Sequence, residues 1–265
     1  MRSSPSLHPA PGTWARALLQ GAASWWYLVY FLAIVLVMVL SPSTYNRQHR
    51  ATTARYIYTS TWQVLPWFTT LTALLSLVLI RVVVVTALSY GLSQYALEMV
   101  VRVLVLELIP LSAALFVALR AGLAFNAGAP TIAPAIEIGT PAQLGIQRLR
   151  HELVPRVLAS AFSVLTLAMI SSVMALVLAY LTVYGLSPWG LPGYTRTVGH
   201  VFDLPVSLGF ALKTLFFSLA VAVVPMAASL EARHSPTGST VQPGAVRLFL
   251  VLLLIEAASL TVKYI

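Results

Sequence analysis

Residues 105–122 read VLELIPLSAALFVALRAG. The run is long and apolar enough to sit in a bilayer, which takes about 20 residues at 1.5 Å each. It also holds a carboxylate (Glu107), a proline (Pro110) and a guanidinium (Arg120). An ionised group at bilayer depth costs roughly 3 kcal/mol on insertion scales, so such groups face a protein interior or water. These three residues therefore ask what surrounds them, and the rest of the chain supplies the context.

Only 9% of the 265 residues are charged and 59% are hydrophobic, with a mean hydropathy of +0.87. A soluble domain is about a quarter charged. The composition is that of an integral membrane protein. Apolar runs of membrane-spanning length between short polar breaks predict an all-α polytopic architecture. A β-barrel is excluded by the same pattern, since its strands are shorter and alternate apolar with polar. The 16 Lys and Arg exceed the 7 Asp and Glu. In a membrane protein that excess marks cytoplasmic loops rather than nucleic-acid binding.

No cysteine is present, so disulfides and thiolate chemistry are excluded. The five histidines are scattered, without metal-ligand spacing. No catalytic or metal-binding residue is expected, and the polar remainder is too short for a soluble catalytic domain.

Five spanning helices are predicted, at about 61–88, 95–125, 153–184, 204–230 and 245–264. They are preceded by an apolar N-terminal helix, embedded or interfacial, with the aromatic cluster Trp25, Trp26 and Tyr27. That stretch is too long for a signal peptide and lacks a cleavage site. The chain divides at 55. Residues 1–55 form a tail, the interfacial helix and a basic segment, and residues 56–265 form the membrane domain. Within it, 126–152 is a proline-interrupted polar segment and 185–203 an ordered external loop. Arg47, Arg50, Arg55, Arg120, Arg148, Arg150, Arg156, Arg233 and Arg247 fall at one set of helix ends. The positive-inside rule places that set in the cytoplasm. Arg196 and Lys263 fall at the other set. No internal repeat is visible, which removes the inverted-repeat logic of secondary transporters.

Three ionisable residues lie well inside the spans: Glu107, Lys213 and Glu256. Two readings stand. They neutralise one another between packed helices, or they line or gate a substrate path. Tyr90, at the hairpin between the first two spans, is an interfacial aromatic or a substrate contact. Glu98 and Arg102 are spaced to pair on one helix face.

At these residues the sequence resembles the MlaE (YrbE) permeases, membrane subunits of bacterial ABC transporters linked to mammalian-cell-entry (MCE) lipid-binding proteins. The resemblance rests on residues 106–130, LELIPLSAALFVALRAGLAFNAGAP, where Glu107, Pro110, Arg120, Gly122 and Ala127 match a second-helix motif. It continues in LRHELVPR at 149–156 and KTLFF at 213–217. Glu256 sits where members often carry an acidic residue. The chain departs from the pattern at Leu106, where an arginine is usual, and at Ile109 and Leu119, where glycines are. Gly128 and Pro130 replace an acidic residue and a glycine.

The resemblance implies a permease domain over 56–265 of a lipid-transporting ABC system in the bacterial inner membrane. Tyr90, Glu107, Lys213 and Glu256 would serve the substrate path or its gating. The segment 126–152 would dock on an ATPase, with Glu137, Arg148, Arg150, Glu152 and Arg156 in coupling. Pro110, Arg120 and Gly122 would shape the helix and its end. The implied partners are an ABC ATPase, an MCE-domain protein, a second permease copy or paralogue, and phospholipid. The chain has no GxxxxGK[ST] loop, so ATP and Mg would be bound by the ATPase. A permease for another hydrophobic solute, and a degenerate scaffolding subunit, are the alternatives.

Overall fold

In a computed structural model, residues 54–132, 142–231 and 243–264 are described, together with six positions between Trp26 and Val37. Within these, 121–132, 142–154 and 228–231, and the single positions 60, 93, 94, 226, 243 and 264, are described by their backbone only. Among the described residues every regular element is helical. That follows from the solvent. Hydrocarbon offers no hydrogen bonds, so each apolar segment satisfies its own backbone.

Five helices are long and apolar enough to cross a membrane, over Leu65–Ser89, Tyr95–Arg120, Pro155–Tyr184, Leu204–Pro225 and Gly244–Lys263. They agree with the five spans predicted. The first is α1, Leu65–Ser89, entered through a π-helical turn at Tyr58–Trp62. The second is one continuous rod in three parts: α2 (Ser93–Val100), a π-helical segment (Val101–Leu108) and α3 (Ile109–Ile132). The third is α4, Ala142–Tyr184, which starts well before the expected residue 153. A 3₁₀ turn at Pro188–Gly190 and the short α5 (Leu191–Val201) make up the expected ordered loop. The last two spans lie in α6 (Leu204–Glu231) and α7 (Pro243–Tyr264). The polar segment 126–152 is thus partly helical, with α3 running on through Pro130 to Ile132. Residues 133–141 lie outside the described residues.

The α1–α2 hairpin is a Schellman turn. Leu92 donates to the Ala87 carbonyl (2.8 Å) and Gly91 to Leu88 (3.1 Å). Gly91 takes φ +72°, which only glycine adopts cheaply. Tyr90 caps α1 just before it.

Each span buries one stripe. On α1 it is Phe68, Thr72, Ser76, Ile80 and Ala87, mostly four residues apart. It packs on α4, many of whose buried residues are small: Ser163, Ala168, Ser171, Ser172, Ala175 and Ala179. Small residues let membrane helices approach closely where no hydrophobic effect drives them together. Thr61 and Ser163 add a buried hydroxyl pair at 2.7 Å.

The core divides into two clusters along the bundle. One, toward the Arg120 end, joins Phe68, Ala113, Val164, Phe217 and Leu252. Leu32 of the N-terminal apolar stretch packs against it. The other, toward the α5 end, joins Ile80, Val101, Ile109, Ala175 and Val201. Of the two positions where the family pattern has glycine, Ile109 is buried in this cluster and Leu119 points outward. The helix α7 is the least buried span, held mainly through Leu248 and Leu252.

Candidate functional site: a buried charge quartet

Where the two apolar clusters meet, α7 lies against α6, and both contact α3. On α6 the boundary falls at Lys213, between Phe210 and Phe217. On α7 it falls just past Leu252, at Glu256. On the second rod it falls at Glu107, the seventh of the eight π-helical residues.

These residues form one chain of alternating charge. The Lys213 ammonium donates to Glu107 Oε2. It also lies 2.6 Å from Glu256 Oε2, an ion pair by distance without hydrogen-bond alignment. Lys263, one residue before the end of α7, donates to Glu107 Oε1 at 2.8 Å. Its reach follows from helix geometry. Side chains lean toward a helix's N-terminus, so Lys263 points back along α7 into the bundle. The order is Lys263, Glu107, Lys213, Glu256, with two cations balancing two carboxylates.

Lys213 is the enclosed centre. Its side chain is 2% exposed, whereas those of Glu107, Glu256 and Lys263 are 13–14% exposed. Besides the two carboxylates it donates to the Leu106 carbonyl at 3.4 Å, and its ammonium lies 5.7 Å from the centroid of the Phe217 ring. Leu106 stands four residues before Pro110, whose ring nitrogen has no hydrogen to return to that carbonyl. Lysine supplies it instead.

The expectation for Pro110 is sharpened by this arrangement. The proline sits buried at the second position of α3, where a missing N–H is tolerated. The irregularity lies upstream of it, where Ile109 donates to Leu104 in the wider i→i−5 pattern. π-Helical insertions are rare and recur at functional sites. Here one carries Glu107.

Of the two readings of Glu107, Lys213 and Glu256, the geometry brings all three together, as mutual neutralisation requires. Lys263, assigned from sequence only to a helix end, joins them. Its seven-residue spacing from Glu256, two helical turns on one face, was the available signal. Tyr90 stays apart, exposed at the hairpin. Arg120, expected to mark a helix end beside the 126–152 segment, is the last residue of the second span, where it donates to the Thr59 carbonyl at 3.2 Å and ties α3 to the π turn before α1. Glu98 and Arg102 pair at 2.8 Å as expected. Arg156 is half-buried on α4. Arg148, Arg150 and Glu152 lie on α4 and Gly122 on α3, placed by backbone alone, and Glu137 lies outside the described residues. Among the described residues no cluster of His, Cys, Asp or Glu could hold a metal.

Ionisable groups held inside an apolar helical bundle mark the pathways and moving parts of membrane transport proteins. The five apolar helices define a multi-pass membrane protein. The model of the Permease MlaE family matches residues 53–262, and the chain belongs to that family. It is a transmembrane permease subunit of a lipid-type ABC transporter. Among curated proteins none matches the chain.

Proposed function

We propose that this permease moves phospholipid, or a lipid of similar form, between the bacterial inner membrane and an MCE-domain partner. A separate ATPase binds ATP and Mg and drives the cycle. A second permease copy or a paralogue completes the membrane unit. The observation that carries this reading is the charge quartet. It joins the second rod, α6 and α7 through polar contacts at one level of an otherwise apolar bundle. Apolar packing slides at little cost, whereas four alternating charges favour discrete arrangements, as a rigid-body switch requires. The segment 126–152 takes in the end of α3 and the start of α4, so an ATPase docked on it, with Glu137, Arg148, Arg150, Glu152 and Arg156 in coupling, would pull on both. The basic residues at that end favour a cytoplasmic position for it, which would leave α5 and Tyr90 on the opposite side, facing the MCE partner.

The test is purification of the chain with its co-expressed neighbours, followed by mass spectrometry of bound lipid and ATP-dependent lipid transfer between vesicles. An associated ATPase, bound phospholipid and ATP-dependent transfer are expected. Transfer should fall in Glu107→Gln and Lys213→Met. A purified complex whose bound solute is consistently not a lipid refutes the proposal.

A further inference from the structure

Arg81 is a charge that the quartet does not absorb. It lies on α1, eight residues before Ser89, so about 12 Å along the axis from that end of the span. Its neighbour Ile80 is fully buried, but Arg81 is exposed. Leu77, Val78 and Val85, the residues one turn away on either side, are exposed with it. Arg81 therefore sits on an open apolar face of the helix and not in a seam. Among the described residues it makes no hydrogen bond or ion pair.

Lipid alone does not suit that position. Arginine near a span end ordinarily extends its head group to the interface. Here the helix runs the wrong way. Side chains lean toward the helix N-terminus, which on α1 is the far end of the span, so Arg81 is launched toward the bilayer middle. A guanidinium there needs water or an anion. The apolar residues beyond it, Leu74, Leu77 and Val78, continue the same face deeper into the span.

We infer that Arg81 binds the phosphate of a lipid, whose acyl chains lie along Leu74, Leu77 and Val78. The guanidinium fork matches a phosphate with two parallel hydrogen bonds. The order along the helix suits a lipid entering from the Tyr90 end: charge first, hydrocarbon deeper. Lys213 cannot take this role, since two carboxylates, a carbonyl and a phenyl ring enclose it. This inference rests on the lipid-permease reading and names the residue that would hold the substrate's head.

The test uses the full chain in nanodiscs and two acyl-labelled fluorescent probes, phosphatidylglycerol and diacylglycerol, which differ in the phosphate. Arg81→Met should weaken phosphatidylglycerol binding about tenfold or more, the scale of a lost charge-assisted pair, and leave diacylglycerol unchanged. Arg81→Lys should keep part of the preference. An unchanged melting temperature is expected in both, because the side chain makes no contact that folding requires. Retention of the full phosphatidylglycerol preference by Arg81→Met overturns the inference, as does equal loss of both probes. Displacement of phosphatidylglycerol by millimolar inorganic phosphate would assign the site to a soluble anion and overturn the lipid assignment. Dissociation of a dimer in Arg81→Met with lipid preference intact would assign Arg81 to a subunit contact, again overturning it. If the unaltered chain binds neither probe, the lipid-permease reading itself falls.

Discussion

Replacing Lys213 with methionine tests whether the quartet is a neutral unit. Methionine keeps an unbranched apolar stem, one heavy atom shorter, but removes the charge that Glu107 and Glu256 share. With Lys263 the only cation left in the group, one negative charge is in excess, beside a site whose centre is 2% exposed. Breaking a buried ion pair by deleting one partner costs about 3–5 kcal/mol, because the other partner stays buried and uncompensated. For a chain of this size each kcal/mol shifts the melting temperature by roughly 2–4 °C. Lys213→Met should therefore melt roughly 6–20 °C lower. Adding Glu256→Gln restores neutrality, and the double variant should recover most of the loss. The pair is thus strongly non-additive, as expected for residues in one network. The chain has no cysteine for thiol-reactive dyes but six tryptophans, so intrinsic fluorescence during a thermal ramp suits the measurement. A Lys213→Met melting temperature within about 2 °C of the unaltered protein, or a double variant no better than the single, would refute the neutral-unit argument.

Three further outcomes follow from other parts of the fold. The Tyr194 hydroxyl donates to the Leu176 carbonyl at 2.8 Å, and burial pushes its pKa up to about 12 from 10. Since the folded state holds this proton more tightly, the contribution is full below pH 10 and is lost as pH rises toward 12. Tyr194→Phe should be about 1 kcal/mol less stable at neutral pH, with the two unfolding curves converging between those pH values. At Gly190 an added Cβ would meet the Tyr184 side chain at 2.6–2.8 Å. Gly190→Ala should loosen the 3₁₀ turn and α5, seen as faster hydrogen exchange confined to residues 185–203, at a cost of about 1–3 kcal/mol. The hydroxyls of Ser76, Ser171 and Ser172 are buried without a partner among the described residues, so Ser76→Ala should leave the melting temperature unchanged or raise it, because an unsatisfied buried polar group is lost.

The spans were legible because hydrocarbon imposes a composition on every residue of a helix, and five long apolar runs leave little else to form. Glu107, Lys213 and Glu256 were legible for the complementary reason: a charge is conspicuous where almost everything is apolar. Lys263 was harder to read. It stands at the end of its span, where lysine ordinarily extends to the interface, and only the backward lean of helical side chains brings it to Glu107. The π-helical stretch at Val101–Leu108 leaves no periodic signature, since one inserted residue in a uniformly apolar run changes no pattern of apolar and polar. Pro110 hinted at a disturbance, yet proline near the start of a helical segment is ordinary, and the widening lies before it. The contact of Arg120 with Thr59 is a side chain meeting a backbone carbonyl 61 residues away. A carbonyl has no residue identity, so no sequence pattern names that partner. What sequence hides here is consistent. Charges announce themselves, but the backbone groups they satisfy, and the helical register that aims them, emerge only from packing.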